Sequence, residues 1–158
     1  MNEIHITISD IPEVRHEDFV RYLRHFIEDY DPNLKLSVSE PCLWLSTRSG
    51  YFRLRYLECR FIETDNRKLL FHCEDSVHHK NGKISDILDL LPQDIFFRCN
   101  NSYIVNLHYI DDILPEGGRY NILLRSGEII PLSRSCYQEC LSRLQIHRVP
   151  DLQQEPQP

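Results

Sequence analysis

FFRCNNSYIVNLHYIDDI, residues 96–113, carries two aromatics and an Arg into an adjacent pair of Asn residues, and an apolar run follows. Asn is disfavoured inside strands and helices and favoured in turns. Asn100-Asn101 therefore predicts a turn between two strands. Arg and Asn are also side chains that bind nucleic-acid phosphates and base edges. The same turn is thus a candidate contact loop.

Working outward, the surrounding chain keeps a strand-like pattern. LWLSTRSGYFRLRY, 43–56, is two alternating runs around Ser49-Gly50 and predicts a hairpin. CRFIET, 59–64, and KLLFHC, 68–73, form a second pair around Asn66. DIFFRC, 94–99, reads as a strand, and YIVNLHYIDDIL leads towards Gly117-Gly118. YNILLRSGEIIPLS, 120–133, is again a hairpin around a Ser-Gly pair. Two helices interrupt this pattern. One is ISDILDLLP, 84–92, with Ser85 as cap and Pro92 as stop; the other is SRSCYQECLSRL, 133–144, with Cys136, Tyr137, Cys140, Leu141 and Leu144 on one stripe. Residues 42–146 are therefore expected to be mainly β, with one internal and one C-terminal helix.

The N-terminal part reads differently. IHITI, 4–8, is a short strand and Asp10-Ile11-Pro12 a turn. From His16 to Tyr30, Phe19, Val20, Tyr22, Leu23, Phe26, Ile27 and Tyr30 recur in steps that predict an amphipathic helix. LKLSVS, 34–39, is a second strand, and Glu40-Pro41 marks a boundary. The Pro/Gln-rich residues 149–158 predict a disordered tail.

Charge divides along the same lines. Residues 1–40 hold 4 Lys/Arg against 9 Asp/Glu, residues 41–148 hold 14 against 13, and the tail has only 2 acids. The net charge of −6 opposes nucleic-acid binding as a bulk property, but the middle segment is near neutral and can still concentrate basic groups on one face. No apolar run approaches the ~20 residues of a membrane helix, and MNEIHITISD lacks a signal-peptide pattern. The expectation is a cytoplasmic protein with no membrane partner. Without CxxC pairs, the six Cys read as reduced core thiols.

Catalytic chemistry finds little support. The five Gly form neither a GxGxxG nor a GxxxxGK loop. His72-Cys73 and His78-His79 match no common zinc framework, and His78 to Lys83 reads as a solvated loop. Asp111-Asp112 reads as an exposed turn pair. Six Cys and eight His always allow some Cys/His nucleophile pair to be drawn, so such a pair carries no weight. No catalytic residue, metal or cofactor is expected. Two further loops do resemble the Asn turn in character. Asn66-Arg67-Lys68 carries two cations between strands, and Pro131-Leu132-Ser133-Arg134 carries an Arg where a strand meets a helix. Loops held at strand ends are common recognition sites.

Taken with the preceding LLP and the following SGEIIPLSR, the 96–113 stretch resembles the LytTR DNA-binding domain of bacterial transcription regulators. The family pattern F-x-R-x-x-x-S-x-x-V-N-x-x-x-I is met by Arg98, with Phe97 beside it, and by Ser102, Val105, Asn106 and Ile110. Phe61-Ile62-Glu63 resembles the family's Y-I-E motif, and Ser133-Arg134 its closing basic serine motif. The resemblance covers residues 42–146. It implies an elongated antiparallel β fold whose loops, rather than a helix, enter successive major grooves of double-stranded DNA, at repeated sites. Matched residue by residue, it implies DNA contacts from Arg67 and Lys68, from Asn101 with Asn100 beside it, and from Arg134. The loop after Glu63 is shorter than is usual in the family.

Residues 1–40 resemble the first strand and helix of a response-regulator receiver, making a short βαβ-like segment ahead of the main domain. Where that family has paired acids, this chain has Ser9-Asp10, and the phosphoacceptor strand is missing. A complete receiver needs roughly 100 residues. The implied protein is a DNA-binding transcription regulator not phosphorylated on a receiver of its own, with the 16–30 helix available to a homodimer or another partner. Two readings compete with it: an interaction module that antagonises a full-length response regulator with weak or no DNA binding, and a small cysteine- or metal-dependent enzyme, for which the scattered Cys and His are the only support.

Overall fold

Two parallel strands, β1 (Glu3–Thr7) and β2 (Lys35–Ser39), flank helix α1 (His16–Tyr30) in the computed structural model, which describes residues 3–7, 16–39 and 42–146. The expected turn at Asp10–Pro12, the Ser9-Asp10 pair, the Glu40-Pro41 boundary and the tail at 149–158 lie outside the described residues. A parallel pair needs a crossover, and α1 supplies it. Ile27 is buried, whereas Tyr22, Phe26 and Tyr30 on the same broad stripe are exposed at 70%, 62% and 80%. A sheet of only two strands covers part of so wide an apolar face.

From residue 42 onward every strand pairing is antiparallel. Strands β3 (Cys42–Thr47) and β4 (Gly50–Arg55) form a hairpin whose turn pair is Arg48-Ser49, with Gly50 opening the return strand. Strands β5 (Cys59–Asp65), β6 (Lys68–Cys73), β7 (Val77–Asn81), β8 (Phe96–Arg98) and β9 (Tyr103–Asn106) build the central sheet in the order β7-β6-β5-β9-β8. Strands β10 (Ile110–Glu116), β11 (Arg119–Leu124) and β12 (Ile129–Leu132) make a three-stranded sheet. Helix α2 (Ile84–Leu88) links β7 to β8, and α3 (Arg134–Arg143) follows β12. The mainly β architecture with one internal and one C-terminal helix agrees with the sequence reading.

The central sheet carries a core on each face because its strands alternate two sets of apolar residues. On one side Ile62, Leu69, Phe71 and Ile104 pack with Leu45 and Leu54 of the hairpin and Ile84 and Ile87 of α2. On the other, Phe61, Phe97 and Val105 pack with Ile122, Leu124, Ile130 and Leu132 of the second sheet and Cys140 of α3. Cys136, Tyr137 and Leu144 extend that second core along the helical stripe. All six thiols are free; Cys59, Cys73, Cys99 and Cys140 are buried, and Cys42 and Cys136 half-buried.

Four local expectations are corrected. Val77–Asn81 is an edge strand and not a solvated loop: it pairs with β6 from His72↔Val77 to Lys68↔Asn81, and His78 stacks on Phe52 at 4.5 Å. Its polar composition suits an edge, which masks the strand in the sequence. Helix α2 starts two residues earlier than a Ser85 cap would allow; Lys83 is the cap residue, and Asp86 Oδ2 accepts its N–H at 2.8 Å. The strand expected over 94–99 is only Phe96–Arg98. Asp111-Asp112, though exposed, lies at a bulge inside β10 and not in a turn.

The run from Tyr103 to Leu114 is two strands split by a 3-10 turn, Leu107–Tyr109, which echoes a 3-10 turn at Tyr56–Glu58 before β5. Asn106 joins the two turns. It is fully buried, donates to Tyr56 O at 3.0 Å and Cys59 O at 2.8 Å, and accepts from His108 N at 2.9 Å. A buried amide with three bonds is satisfied, and each partner depends on it.

Candidate nucleic-acid interface

Asn66 and Arg67 close β5 and β6 with φ of +49° and +63°, a two-residue turn of the kind that matches strand twist. Glycine is the ordinary choice for such angles, so an Arg here is held in an uncommon backbone conformation. Arg67 and Lys68 are both exposed, and neither makes an ion pair among the described residues. Asp65 stands opposite Lys68 in the register. Glu63, from the Y-I-E-like motif, is committed elsewhere, lying 3.0 Å from His72 Nε2. Burial, and then this carboxylate, push the neighbouring Tyr103 phenol up.

The β8–β9 turn sits on the adjoining strands. Glu63 pairs with Tyr103 in the register, and Thr64 N donates to Ser102 O at 2.9 Å, so the Asn turn lies beside the Asn66-Arg67 turn. Arg98 is turned back onto its own loop, donating to Asn100 O and Asn101 O at 3.2 Å each. Asn100 is also used internally. Its Nδ2 donates to Pro131 O at 2.5 Å, and its Oδ1 accepts from Ser102 N at 2.7 Å. Asn101 contributes only its backbone carbonyl, and its exposed side chain points to no partner among the described residues.

The third loop is tied to the second. Ser133 N donates to Cys99 O at 2.9 Å, next to the Asn100–Pro131 bond. Arg134, the first residue of α3, is exposed. Its guanidinium lies beside Gly118 in the β10–β11 turn, where a Cβ would stand 3.6 Å from Arg134 Nη2, an ordinary contact. The five residues singled out from sequence, Arg67, Lys68, Asn100, Asn101 and Arg134, therefore gather at one end of the central sheet. Asn100 supports the loops, while the side chains of the other four are exposed. Arg98 as a brace was not foreseen, because only the folded turn brings its guanidinium onto the Asn carbonyls.

The arrangement can do little covalent chemistry. Burial holds the Cys99 thiol up at about 12 and Cys140 at about 11, so neither is a ready nucleophile near neutral pH. No helix of the described residues is long and apolar enough to cross a membrane.

Comparison with known proteins agrees with this geometry. The family model for the LytTr DNA-binding domain matches residues 49–145. A solved LytTr DNA-binding domain of a putative methyl-accepting/DNA response regulator from Bacillus cereus shares the fold, with a TM-score of 0.59 and 24% identity, over 68% of this chain and 100% of that one. Sensory transduction protein LytT of Enterococcus faecalis is 26% identical over 84 residues, which are 52% of this chain and 35% of the relative. LytT of Bacillus subtilis is 37% identical over 57 residues, 35% of this chain and 24% of the relative. The chain thus spans about a third or less of the length of these curated relatives. The match over most of the β-rich region, with the loops it contains, establishes that the chain belongs to the LytTR DNA-binding domain family.

Proposed function

We propose that this protein binds specific double-stranded DNA and regulates transcription, with its loops entering the major groove. The observation that carries the reading is the junction of three loops at one sheet end, with Asn101, Arg67, Lys68 and Arg134 directed outward and Asn100 locking two of the loops together. Asn suits bidentate contact with adenine, and Arg suits guanine or phosphate. Arg67 keeps a backbone angle that favours glycine, which fits a side chain retained for contact. The domain division follows: residues 42–146 bind DNA, and residues 1–40 are a receiver-like remnant that does not take up phosphate. Repeated DNA sites and a cytoplasmic location belong to the same reading. Selection of bound sequences from a random duplex pool tests it; enrichment of a motif supports specific binding, and a pool that stays random refutes it.

A second reading is favoured by α1. Tyr22, Phe26 and Tyr30 follow one another at steps of four and remain exposed, as on a helix that meets a partner. With the net charge of −6, this supports an interaction module, through a homodimer or by antagonising a full-length response regulator. Gel shifts separate the two readings: an antagonist weakens a relative's DNA complex without forming one of its own.

A further inference from the structure

We propose that the cleft between the β3–β4 turn and the ends of β6 and β7 is a phosphate site for the backbone of the same duplex, an extension that rests on the DNA-binding reading above. The cleft has a volume of about 510 Å³. Arg48 and Ser49 stand on the hairpin wall; Lys68, His79, Lys80 and Asn81 stand on the sheet wall. Three permanent cations thus converge, and no carboxylate lines the space. Arg48 and Lys68 make no ion pair among the described residues. The nearest acid in the register is Asp65, opposite Lys68 and outside the lining.

The walls are held at a fixed separation. Lys80 Nζ donates to Ser46 O at 2.6 Å and fastens the hairpin to the edge strand. Phe52 stacks on His78 behind it. Thr47 Oγ1 lies 3.2 Å from Gly50 O and 3.3 Å from Ser49 Oγ, which shapes the turn. Like charges gathered in a cleft that no carboxylate lines repel one another. An external anion removes that cost. Lys and Arg with hydroxyl and amide donors are the groups that hold phosphodiester oxygens.

Position selects the source of the phosphate. The sheet order β7-β6-β5-β9 puts two interstrand steps between Lys68 and the Asn101 turn and three between the β7 wall and that turn, a span of about 10–14 Å at the usual spacing. The major groove is about 12 Å wide. With Asn101 in the groove, the cleft meets the phosphate strand along the groove's border. This site fixes placement on the duplex and carries no base preference.

The test uses the full chain with a duplex selected from a random pool and its scrambled counterpart. Arg48→Gln removes an exposed side chain from the turn without touching the core. It is expected to weaken binding to both duplexes equally and to lower the salt slope by about one unit. Between about 50 and 200 mM salt, that slope change makes the affinity loss about threefold to fourfold smaller than in the parent. Lys80→Gln should act in the same direction, and Arg48→Lys should keep the slope. Arg48→Gln and Lys80→Gln variants with the parent's affinity and slope overturn the cleft assignment; a simultaneous loss of specific binding in Asn101→Ala leaves the loop reading standing. A parent chain that binds neither duplex overturns both.

Discussion

Asn100 Nδ2 donates to Pro131 O at 2.5 Å, and through that bond the β8–β9 turn and the strand leading into α3 become one unit. Its neighbour Asn101 has no such duty. Asn101→Ala is expected to cost about 1–3 kcal/mol on a specific duplex, the worth of a bidentate base contact, and to leave the melting temperature unchanged. Asn100→Ala should lower both stability and affinity, because it unties the loops. Thermal melts beside gel shifts check the contrast; equal stability losses in both variants would remove the division of labour.

Substitutions at Arg134 and Lys68 test the proposed base reading and phosphate contact separately. Arg134→Ala costs about 1–3 kcal/mol selectively if the guanidinium reads a base. Lys68→Ala should weaken specific and scrambled duplexes alike and lower the salt slope by about one unit, as loss of a point charge against phosphate does. Titrations at two salt concentrations measure both. A Lys68→Ala protein that loses only specific binding would contradict this assignment.

Asn106 is a stability residue. Replacement by Leu strands the carbonyls of Tyr56 and Cys59 and the His108 N–H inside the fold. The expected destabilisation is at least about 2 kcal/mol, from unsatisfied buried polar groups. Urea unfolding measures it, and a midpoint like the parent's would show that water reaches these groups.

Alkaline pH should unfold the domain. Burial raises Cys99 from 9.0 to about 12 and Cys140 to about 11, and burial together with Glu74 also pushes Tyr109 up. A raised acid stays neutral in the folded state, while its unfolded counterpart ionises from about pH 9. The unfolded chain then binds fewer protons, so stability falls as pH rises. The contribution is intact below pH 9.0 and is lost towards about 12 for Cys99 and about 11 for Cys140. Denaturation midpoints followed from pH 8 to 11 should decline, and Cys99→Ser with Cys140→Ser should flatten the decline.

Small phosphodonors should leave the protein unlabelled and its DNA affinity unchanged. The motive is the short β1-α1-β2 unit, which passes into β3 without the further strands of a full receiver. Acid-labile phosphate on an Asp, detected by mass spectrometry, would reverse the conclusion and put signal input within this chain.

Sequence pattern carried the architecture where burial and periodicity coincide. The two-faced strands β5, β6 and β9 and the α3 stripe are legible because their apolar residues sit at regular steps. Strand β7 is not, since an edge strand needs no apolar face and VHHKN reads as polar loop. The 3-10 break at Leu107–Tyr109 is equally hidden, for it depends on Asn106 reaching residues about fifty positions away. The three loops proposed as the DNA interface were legible as residue types. The resemblance already set Asn101 ahead of Asn100, but the bracing role of Asn100 was not legible, because it depends on a Pro131 carbonyl that only folding brings to it.

The central sheet ends in unequal ways that both resist growth. At one margin β7 offers His, Lys and Asn, with Lys80 folded across towards the hairpin. At the other, β8 is three residues long. Charged and very short margins are poor templates for strand addition. A second copy meeting either margin of this sheet therefore finds little backbone ladder to extend, and the five strands keep a fixed number of members even where many copies are crowded together.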